Sequence, residues 1–198
     1  MNSKRVVLGI DPGSNVMGYG IIQTEGKQSG IVAMGTISPG KITDHYAKLK
    51  YIFDRVLHVI DEYKPTEVAL EAPFFGKNVQ SMLKLGRAQG IAMAAAMYHN
   101  LPIFEYAPLK VKQSITGMGQ ASKEQVAYFL NKIYGIEIPH LLDATDAVAV
   151  AYCHILQSSR PALTKEFRNW EDFIRKNPDK VIAPNPRKSN QNKKAPDK

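Results

Sequence analysis

Cysteine is almost absent from this 198-residue sequence, in which Cys153 is the only one. A single cysteine excludes an internal disulfide framework and is typical of a protein of the reducing cytoplasm. Because the residues around Cys153 are apolar, we expect a buried structural thiol rather than a nucleophile. Long apolar runs are also absent, since none reaches the roughly 20 residues of a membrane-spanning helix. The first run, residues 6–10, is too short for a signal peptide, so we expect neither a membrane protein nor a secreted one.

Positive charge is in excess but unevenly distributed. The net charge is +8, with 15 Lys and Arg against 13 Asp and Glu in residues 1–159, and 11 against 5 in residues 160–198. This pattern predicts a folded domain over residues 1–157 and a basic, largely disordered C-terminal extension over residues 158–198. The extension could bind a polyanion without specificity, or it could only keep the protein soluble.

The hydrophobic pattern predicts an α/β domain. Short apolar runs predict five strands, at residues 4–10, 19–23, 31–37, 67–71 and 103–106. Apolar residues at spacings of three and four predict five helices, the third of them short, at residues 44–63, 79–98, 109–115, 122–134 and 142–157. The order of these elements predicts a mixed sheet, antiparallel in its first three strands and then parallel, with helices on both faces. Helix 79–98 is rich in Gly and Ala, so it could pack closely on its own sheet or on a second copy of the chain.

Four carboxylates stand where ligands are often bound. Asp11 and Glu71 end two predicted buried strands, and residues just past strand ends line the ligand crevice of open α/β sheets. Asp143 and Asp146 are three residues apart near the start of the last helix, so they share one helix face. Each acid also has a purely structural explanation: Asp11 as a turn residue, Asp143 or Asp146 as a helix cap, and Glu71 as an ordinary residue of the rim.

Taken together, the four acids favour a metal site. Like charges in one cleft repel each other and raise each other's pKa unless a cation neutralises them. Carboxylate oxygens suit Mg²⁺ or Mn²⁺. Two such ions about 4 Å apart can activate water and stabilise the leaving oxygen of a phosphodiester. If the fold brings the four acids together, the sequence predicts metal-dependent phosphoryl transfer.

The same residues take part in a resemblance to a known family, the RuvC Holliday-junction resolvases. The resemblance covers residues 5–157, and its motifs occur in the same order along the chain. They are Gly9-Ile10-Asp11-Pro12-Gly13, Gly18-Tyr19-Gly20, Leu70-Glu71, Phe74-Phe75-Gly76-Lys77-Asn78, Leu85-Gly86-Arg87-Ala88-Gln89-Gly90, Tyr106-Ala107-Pro108, Val111-Lys112-Gln113, Gly117-Met118-Gly119, Ala121-Ser122-Lys123, Gln125-Val126 and Asp143-Ala144-Thr145-Asp146-Ala147.

The resemblance implies a ribonuclease-H-like fold and an endodeoxyribonuclease that resolves four-way junctions in recombination and DNA repair. It implies that the four acids bind Mg²⁺, with two ions per active site and Mn²⁺ as a substitute, and are the catalytic acids: Asp11, Glu71, Asp143 and Asp146. The implied enzyme is a homodimer that makes symmetric nicks in junction DNA and acts alongside the RuvA–RuvB branch-migration complex. Two active sites related by a two-fold axis would match the symmetry of the junction.

The resemblance also favours particular DNA contacts. An aromatic residue such as Phe74, in the loop with Lys77 and Asn78, could stack on a base or enter an opened junction, although a core position is an alternative for it. Lys112 and Lys123 flank the Gly117-Met118-Gly119 break, where a lysine could offset charge on the scissile phosphate. The alternative for these lysines is a solvated helix face.

Three other functions compete with this interpretation. A protein of the actin and sugar-kinase superfamily also opens with a strand and an Asp-x-Gly turn, but it needs two lobes and a second phosphate loop. A junction-binding module without cleavage would not need four intact acids. A nuclease of RNA–DNA hybrids would share the acids and differ in the loops around Phe74 and Lys123.

Overall fold

The computed structural model describes residues 4–26, 28–73, 78–135, 142–159, 171, 174 and 175. The chain divides into two units, residues 1–159 and residues 160–198. The strands of the first unit are β1 (Arg5–Asp11), β2 (Met17–Glu25), β3 (Gln28–Ile37), β4 (Glu67–Glu71) and β5 (Ile103–Tyr106). Its helices are α1 (His45–Tyr63), α2 (Val79–Tyr98), α3 (Pro108–Thr116), α4 (Lys123–Tyr134) and α5 (Leu142–Ser158).

The five strands form one mixed sheet in the order β3-β2-β1-β4-β5. β1 and β2 pair antiparallel, as do β2 and β3, whereas β1 pairs with β4, and β4 with β5, in parallel. This confirms the predicted mixed sheet with an antiparallel start and a parallel continuation. Because β1, β4 and β5 are parallel, their carboxyl ends meet at one edge of the sheet. We call it the catalytic edge after the predicted catalytic acids Asp11 and Glu71, which end β1 and β4.

Helices cover both faces of the sheet, as predicted. Side chains alternate between the two faces along a strand, so Val6 and Leu8 of β1 pack in the core beneath α1 and α2, while Val7 packs in the core beneath α3, α4 and α5. Buried residues of α5, such as Val148 and Ala151, sit directly on the sheet. The lone cysteine, Cys153, is buried in this second core, as predicted.

Local sequence signals fix where the helices nearest the catalytic edge begin. The Ser122 hydroxyl accepts a hydrogen bond from the Gln125 backbone N–H, and the Gln125 side chain accepts one from the Ser122 backbone, which together form a capping box. This cap places Lys123 in the first turn of α4. Pro108 begins α3, where its missing N–H costs nothing.

Several predictions from the sequence lie wholly or largely outside the described residues. Phe74 and Lys77 are among them. In the second unit only Glu171, Ile174 and Arg175 are described, and all three are helical, so the disordered extension over residues 158–198 stays a prediction beyond Ser159. None of the helices in the described ranges is long and apolar enough to cross a membrane.

Candidate active site

Three of the predicted acids and two of the predicted lysines line one pocket at the catalytic edge. Ile10 of β1 lies beside Leu70 of β4 in the parallel register, so the residues that follow, Asp11 and Glu71, end neighbouring strands. Apolar residues of α3, α4 and α5 complete the walls of the pocket, whose polar lining residues are Asp11, Glu71, Asp146, Lys112 and Lys123. The fourth acid, Asp143, joins from the first turn of α5, and carboxylate oxygens of Asp11, Asp143 and Asp146 lie within 4.8 Å of one another.

Glycines on β1 and β2 allow α5 to come this close. Asp11 pairs with Gly18, and Gly9 pairs with Gly20, across the two strands. A Cβ at Gly18 would lie 1.9 Å from the backbone oxygen of Asp143, and a Cβ at Gly9 would lie 2.0 Å from that of Ala147. The helix backbone therefore occupies the space that side chains would fill, which brings the first turn of α5 against Asp11.

We expect Gly18→Ala to destabilise the protein and to displace the first turn of α5. The clash is with the backbone of α5 and not with a flexible side chain, so no change of a side-chain rotamer can relieve it. Overpacking of this kind typically costs about 1–3 kcal/mol. Urea unfolding of the two proteins would measure the change in the free energy of unfolding.

The matched control for this substitution is Gly30→Ala. Gly30 is also a strand glycine, on β3, but no atom lies within 4 Å of the position of its added Cβ. Equal free energies of unfolding for Gly18→Ala and Gly30→Ala would contradict the packing argument.

Burial and mutual repulsion raise the pKa values of the acids in the pocket. Burial, together with the neighbouring Glu71 and Asp146 carboxylates, raises the pKa of Asp11 to about 7. Burial and Asp146 raise the pKa of Glu71. Burial also raises the pKa of Asp146, although its hydrogen bond from Lys123 acts in the opposite direction. Such a cluster is stabilised either by protons or by a cation, and an all-carboxylate donor set fits a hard divalent metal ion.

Lys123 lies among these acids. Its ammonium group donates a hydrogen bond to Asp146, with which it forms an ion pair. Burial alone would lower the pKa of Lys123, but the bond to Asp146 and the nearby carboxylates of Asp11 and Asp143 raise it overall. The Lys123 side chain remains half exposed, and Lys112 of α3 lines the same pocket. Both lysines can therefore meet an anion that enters from solvent.

A buried hydrogen-bond network around His154, which was not predicted from the sequence, connects α5 to β4 and β5. His154 is 1% exposed; its Nε2 lies 2.8 Å from a Glu67 carboxylate oxygen, and its Nδ1 lies 2.6 Å from the Tyr106 hydroxyl. The second Glu67 oxygen accepts a hydrogen bond of 2.7 Å from Arg5. No pattern in the sequence relates these residues to one another, because they are far apart in the chain.

The hydrogen-bond network around His154 lies on the same strand, β4, and the same helix, α5, as three of the acids. Glu67 and Glu71 are four residues apart on β4, about 13 Å along a strand, and project to the same face. Asp146 and His154 are eight residues apart on α5, about 12 Å along a helix. The contact between Glu67 and His154 therefore places Asp146 opposite Glu71.

Asn78, which the sequence analysis predicted as a DNA contact, has a structural role in the fold. The Asn78 side-chain oxygen accepts a hydrogen bond of 3.1 Å from the Ser81 backbone N–H and caps α2. Its role as a DNA contact stays a prediction, as do those of Phe74 and Lys77, which lie outside the described part of the chain.

Comparison with known proteins places the chain in a family. The family model described as "Crossover junction endodeoxyribonuclease RuvC" matches residues 7–154. The chain is 55% identical over 181 residues to the crossover junction endodeoxyribonuclease RuvC of Bacteroides fragilis, covering 90% of this chain and 96% of the relative. It is 58% identical over 178 residues to that of Cytophaga hutchinsonii, covering 89% and 88%. Among solved structures, RuvC of T. thermophilus in complex with a Holliday junction substrate matches with a TM-score of 0.73 and 31% identity, covering 78% of this chain and 94% of that one.

Proposed function

This chain belongs to the RuvC family of crossover junction endodeoxyribonucleases, and we propose that it resolves four-way DNA junctions by metal-dependent hydrolysis of phosphodiester bonds. The observation that supports the proposal most is the pocket at the catalytic edge, where carboxylates from β1, β4 and α5 meet two lysines from α3 and α4. A metal-binding group and a phosphate-binding group thus share one cleft. The likeness to a RuvC that binds a Holliday junction identifies the substrate class.

The proposed resident metal is Mg²⁺, which Mn²⁺ could replace because both accept carboxylate ligands. Asp11, Asp143 and Asp146 would hold one ion, since their oxygens already lie within 4.8 Å of one another. Glu71 faces Asp11 and Asp146 across the pocket, and we assign it with them to a second ion. When bound, these ions would activate the attacking water and stabilise the leaving oxygen.

The side chains of the protein would carry out the remaining work. Lys112 and Lys123 would donate hydrogen bonds to non-bridging oxygens of the scissile phosphate and offset the charge that develops in the transition state. The apolar walls from Val111, Val126 and Ala149 would limit water around the reacting phosphate. The water loses a proton as its oxygen forms the new bond to phosphorus, and the 3′ oxygen takes up a proton as its bond to phosphorus breaks. The products are a 5′-phosphate and a 3′-hydroxyl.

We propose a homodimer, because symmetric nicks need two active sites related by a two-fold axis. α2 can supply the contact, since it packs on its own sheet through Ala88 and Ala92 while Val79, Leu83 and Tyr98 of the same helix are exposed. The two alternatives for α2 are therefore compatible. Cooperation with RuvA–RuvB, location in the cytoplasm, and the division into a nuclease domain over residues 1–157 and a basic extension stay predictions.

We expect the purified protein to make paired nicks at symmetric positions in a synthetic four-way junction when Mg²⁺ is present. The junction is labelled on each strand in turn so that denaturing gels locate every cut. Chelation by EDTA should abolish cleavage, because the acids act through the bound metal. Mn²⁺ should restore cleavage, because carboxylate ligands accept both metals.

A linear duplex of the same sequence serves as the control for structure specificity. Cuts in the duplex at the same rate would contradict a junction-specific nuclease. Tight binding to the junction without cleavage under either divalent metal would contradict the proposed enzyme and favour a junction-binding module.

A further inference from the structure

A second depression opens at the catalytic edge, on the opposite face of the sheet from the acids. Its lining comes from the loop after β1, from the first turns of α1 and from the second turn of α2. The lining includes Ser14, Asn15, His45, Lys48 and Lys84. No residue of this lining belongs to the acidic pocket.

The topology places both depressions where one ligand can reach them. α1 leads into the start of β4 and α2 follows the end of β4, so the N-termini of both helices lie at the same edge as Glu71. Ser14 and Asn15 are only three and four residues after Asp11. The same loop therefore links the acidic pocket to the second depression.

The described lining of the second depression has a net positive charge. None of its described lining residues is acidic, and neither Lys48 nor Lys84 forms an ion pair there. By contrast, Lys50 on the same helix pairs with Asp54 at 2.6 Å. The nearby Asp44 carboxylate accepts a hydrogen bond of 2.7 Å from the Ala47 backbone N–H and caps α1.

A third cationic side chain is fixed at the rim. The Arg87 guanidinium lies 3.2 Å from His45 Nε2. Since a guanidinium can only donate hydrogen bonds, His45 accepts this one through Nε2. The bond joins α2 to α1 and keeps the Arg87 charge next to His45, a residue of the lining. Three like charges around one depression repel each other unless an anion lies between them.

We propose that this depression binds a backbone phosphate of a junction arm, outside the cleavage site. The inference rests on the proposed function for the identity of the polyanion. Lys48 and Lys84 would contact the phosphate directly, with Ser14 and Asn15 as polar neighbours and Arg87 at the rim. A duplex arm that places its scissile phosphate at the acids would extend across the catalytic edge to this second contact. The site would contribute to affinity and orientation and would take no part in bond cleavage.

The test compares the salt dependence of junction binding in full-length proteins. Binding of a labelled four-way junction in EDTA is measured by fluorescence anisotropy over a series of salt concentrations. Each phosphate contact contributes about 0.9 to the slope of log affinity against log salt. We expect Lys48→Gln/Lys84→Gln to reduce the steepness of this slope by between about 1 and 2, and to weaken binding about tenfold or more at low salt.

The matched control is Lys4→Gln/Lys50→Gln, which removes the same charge. Lys4 precedes β1, at the end of the strand away from Asp11, and Lys50 is paired with Asp54. This control should keep the wild-type slope. Unfolding temperatures of the variants report whether all of them are folded, and glutamine retains most of the side chain.

Cleavage under saturating protein and Mg²⁺ separates the two proposals. The rate constant of the control Lys4→Gln/Lys50→Gln should equal that of wild type, because neither of its lysines lines the acidic pocket or the second depression. A wild-type slope for this variant, or an equal loss of slope in the control, would overturn the phosphate site. Wild-type protein that binds the junction without cutting it would instead overturn the proposed function, while the slopes would still decide the phosphate site.

Discussion

Asp146→Asn should abolish junction cleavage while leaving junction binding intact. Asp146 is a member of the carboxylate group that can hold a metal, and it also accepts the hydrogen bond of Lys123. An amide oxygen ligates a divalent ion less well than a carboxylate and brings no charge. We expect the single-turnover rate to fall on the order of 10³-fold or more, as for other groups that act as part of a catalytic unit. Quenched-flow or manual time courses with labelled junction would measure this rate.

Junction binding by Asp146→Asn is the second part of this prediction. Removal of one negative charge beside a bound phosphate should leave affinity for the junction equal or increase it, since repulsion between the acid and the DNA is lost. Stability should not fall at neutral pH, because burial and the neighbouring Asp143 carboxylate already raise the pKa of Asp146. Asp54→Asn, an exposed acid on α1, is the isosteric control and should cleave normally. Wild-type cleavage by Asp146→Asn would remove this carboxylate from the proposed metal site.

The element order could be predicted from the sequence because the pattern of each element is local. Alternating burial in β1 and helical spacing in α1 reflect the periods of the two structures, and all ten elements were predicted with boundary differences of a few residues. The directions of the strands could be predicted from the order of the elements, since an antiparallel start needs only tight turns and a parallel continuation needs crossover helices. The place of β1 between β2 and β4 was not predicted.

Less of the candidate site could be predicted. Strand ends predicted the positions of Asp11 and Glu71, and helix spacing predicted that Asp143 and Asp146 share a face. Their convergence depends on how close α5 comes to the sheet, which is set by Gly9 and Gly18 opposite the helix backbone. Small residues on both partners are the signal for such contact, and it becomes readable only once their pairing is known.

Contacts between distant residues left no trace in the sequence. Glu67 and His154 are 87 residues apart, and neither periodicity nor spacing relates them. The depression lined by Lys48 and Lys84 likewise combines α1 with α2. Single lysines on separate helices are ordinary surface residues until the fold places them around one cavity.

The metal-free protein should lose stability as pH rises from about 4 to about 7, and Mg²⁺ should restore it. Burial and the neighbouring carboxylates raise the pKa of Asp11 from 3.8 to about 7. Within this window the folded state holds a proton that the unfolded state has already released. The free energy of unfolding from this group therefore falls as pH rises through the window, by at most about 4 kcal/mol. The raised pKa values of Glu71 and Asp146 act in the same direction.

Urea unfolding in EDTA across this pH range measures the effect, with Asp11→Asn as the matched variant. The difference between the two proteins isolates the group from other titrations, and it should grow in favour of Asp11→Asn as pH approaches about 7. Parallel pH profiles for the two proteins would contradict the assigned cost of charging Asp11.

Protons and the metal should compete for the same acids. Below a pH of about 7, binding of the ion must displace the Asp11 proton, so the Mg²⁺ concentration needed for half-maximal cleavage should rise about tenfold for each unit of pH lost. Raised Mg²⁺ should then recover the rate at low pH, which loss of a catalytic base would not allow. The repulsion that weakens the metal-free fold is thus the same interaction that gives the site its affinity for a divalent ion. If cleavage falls as the pH falls and added Mg²⁺ does not restore it, protons and Mg²⁺ do not compete for these acids. That result would contradict the prediction.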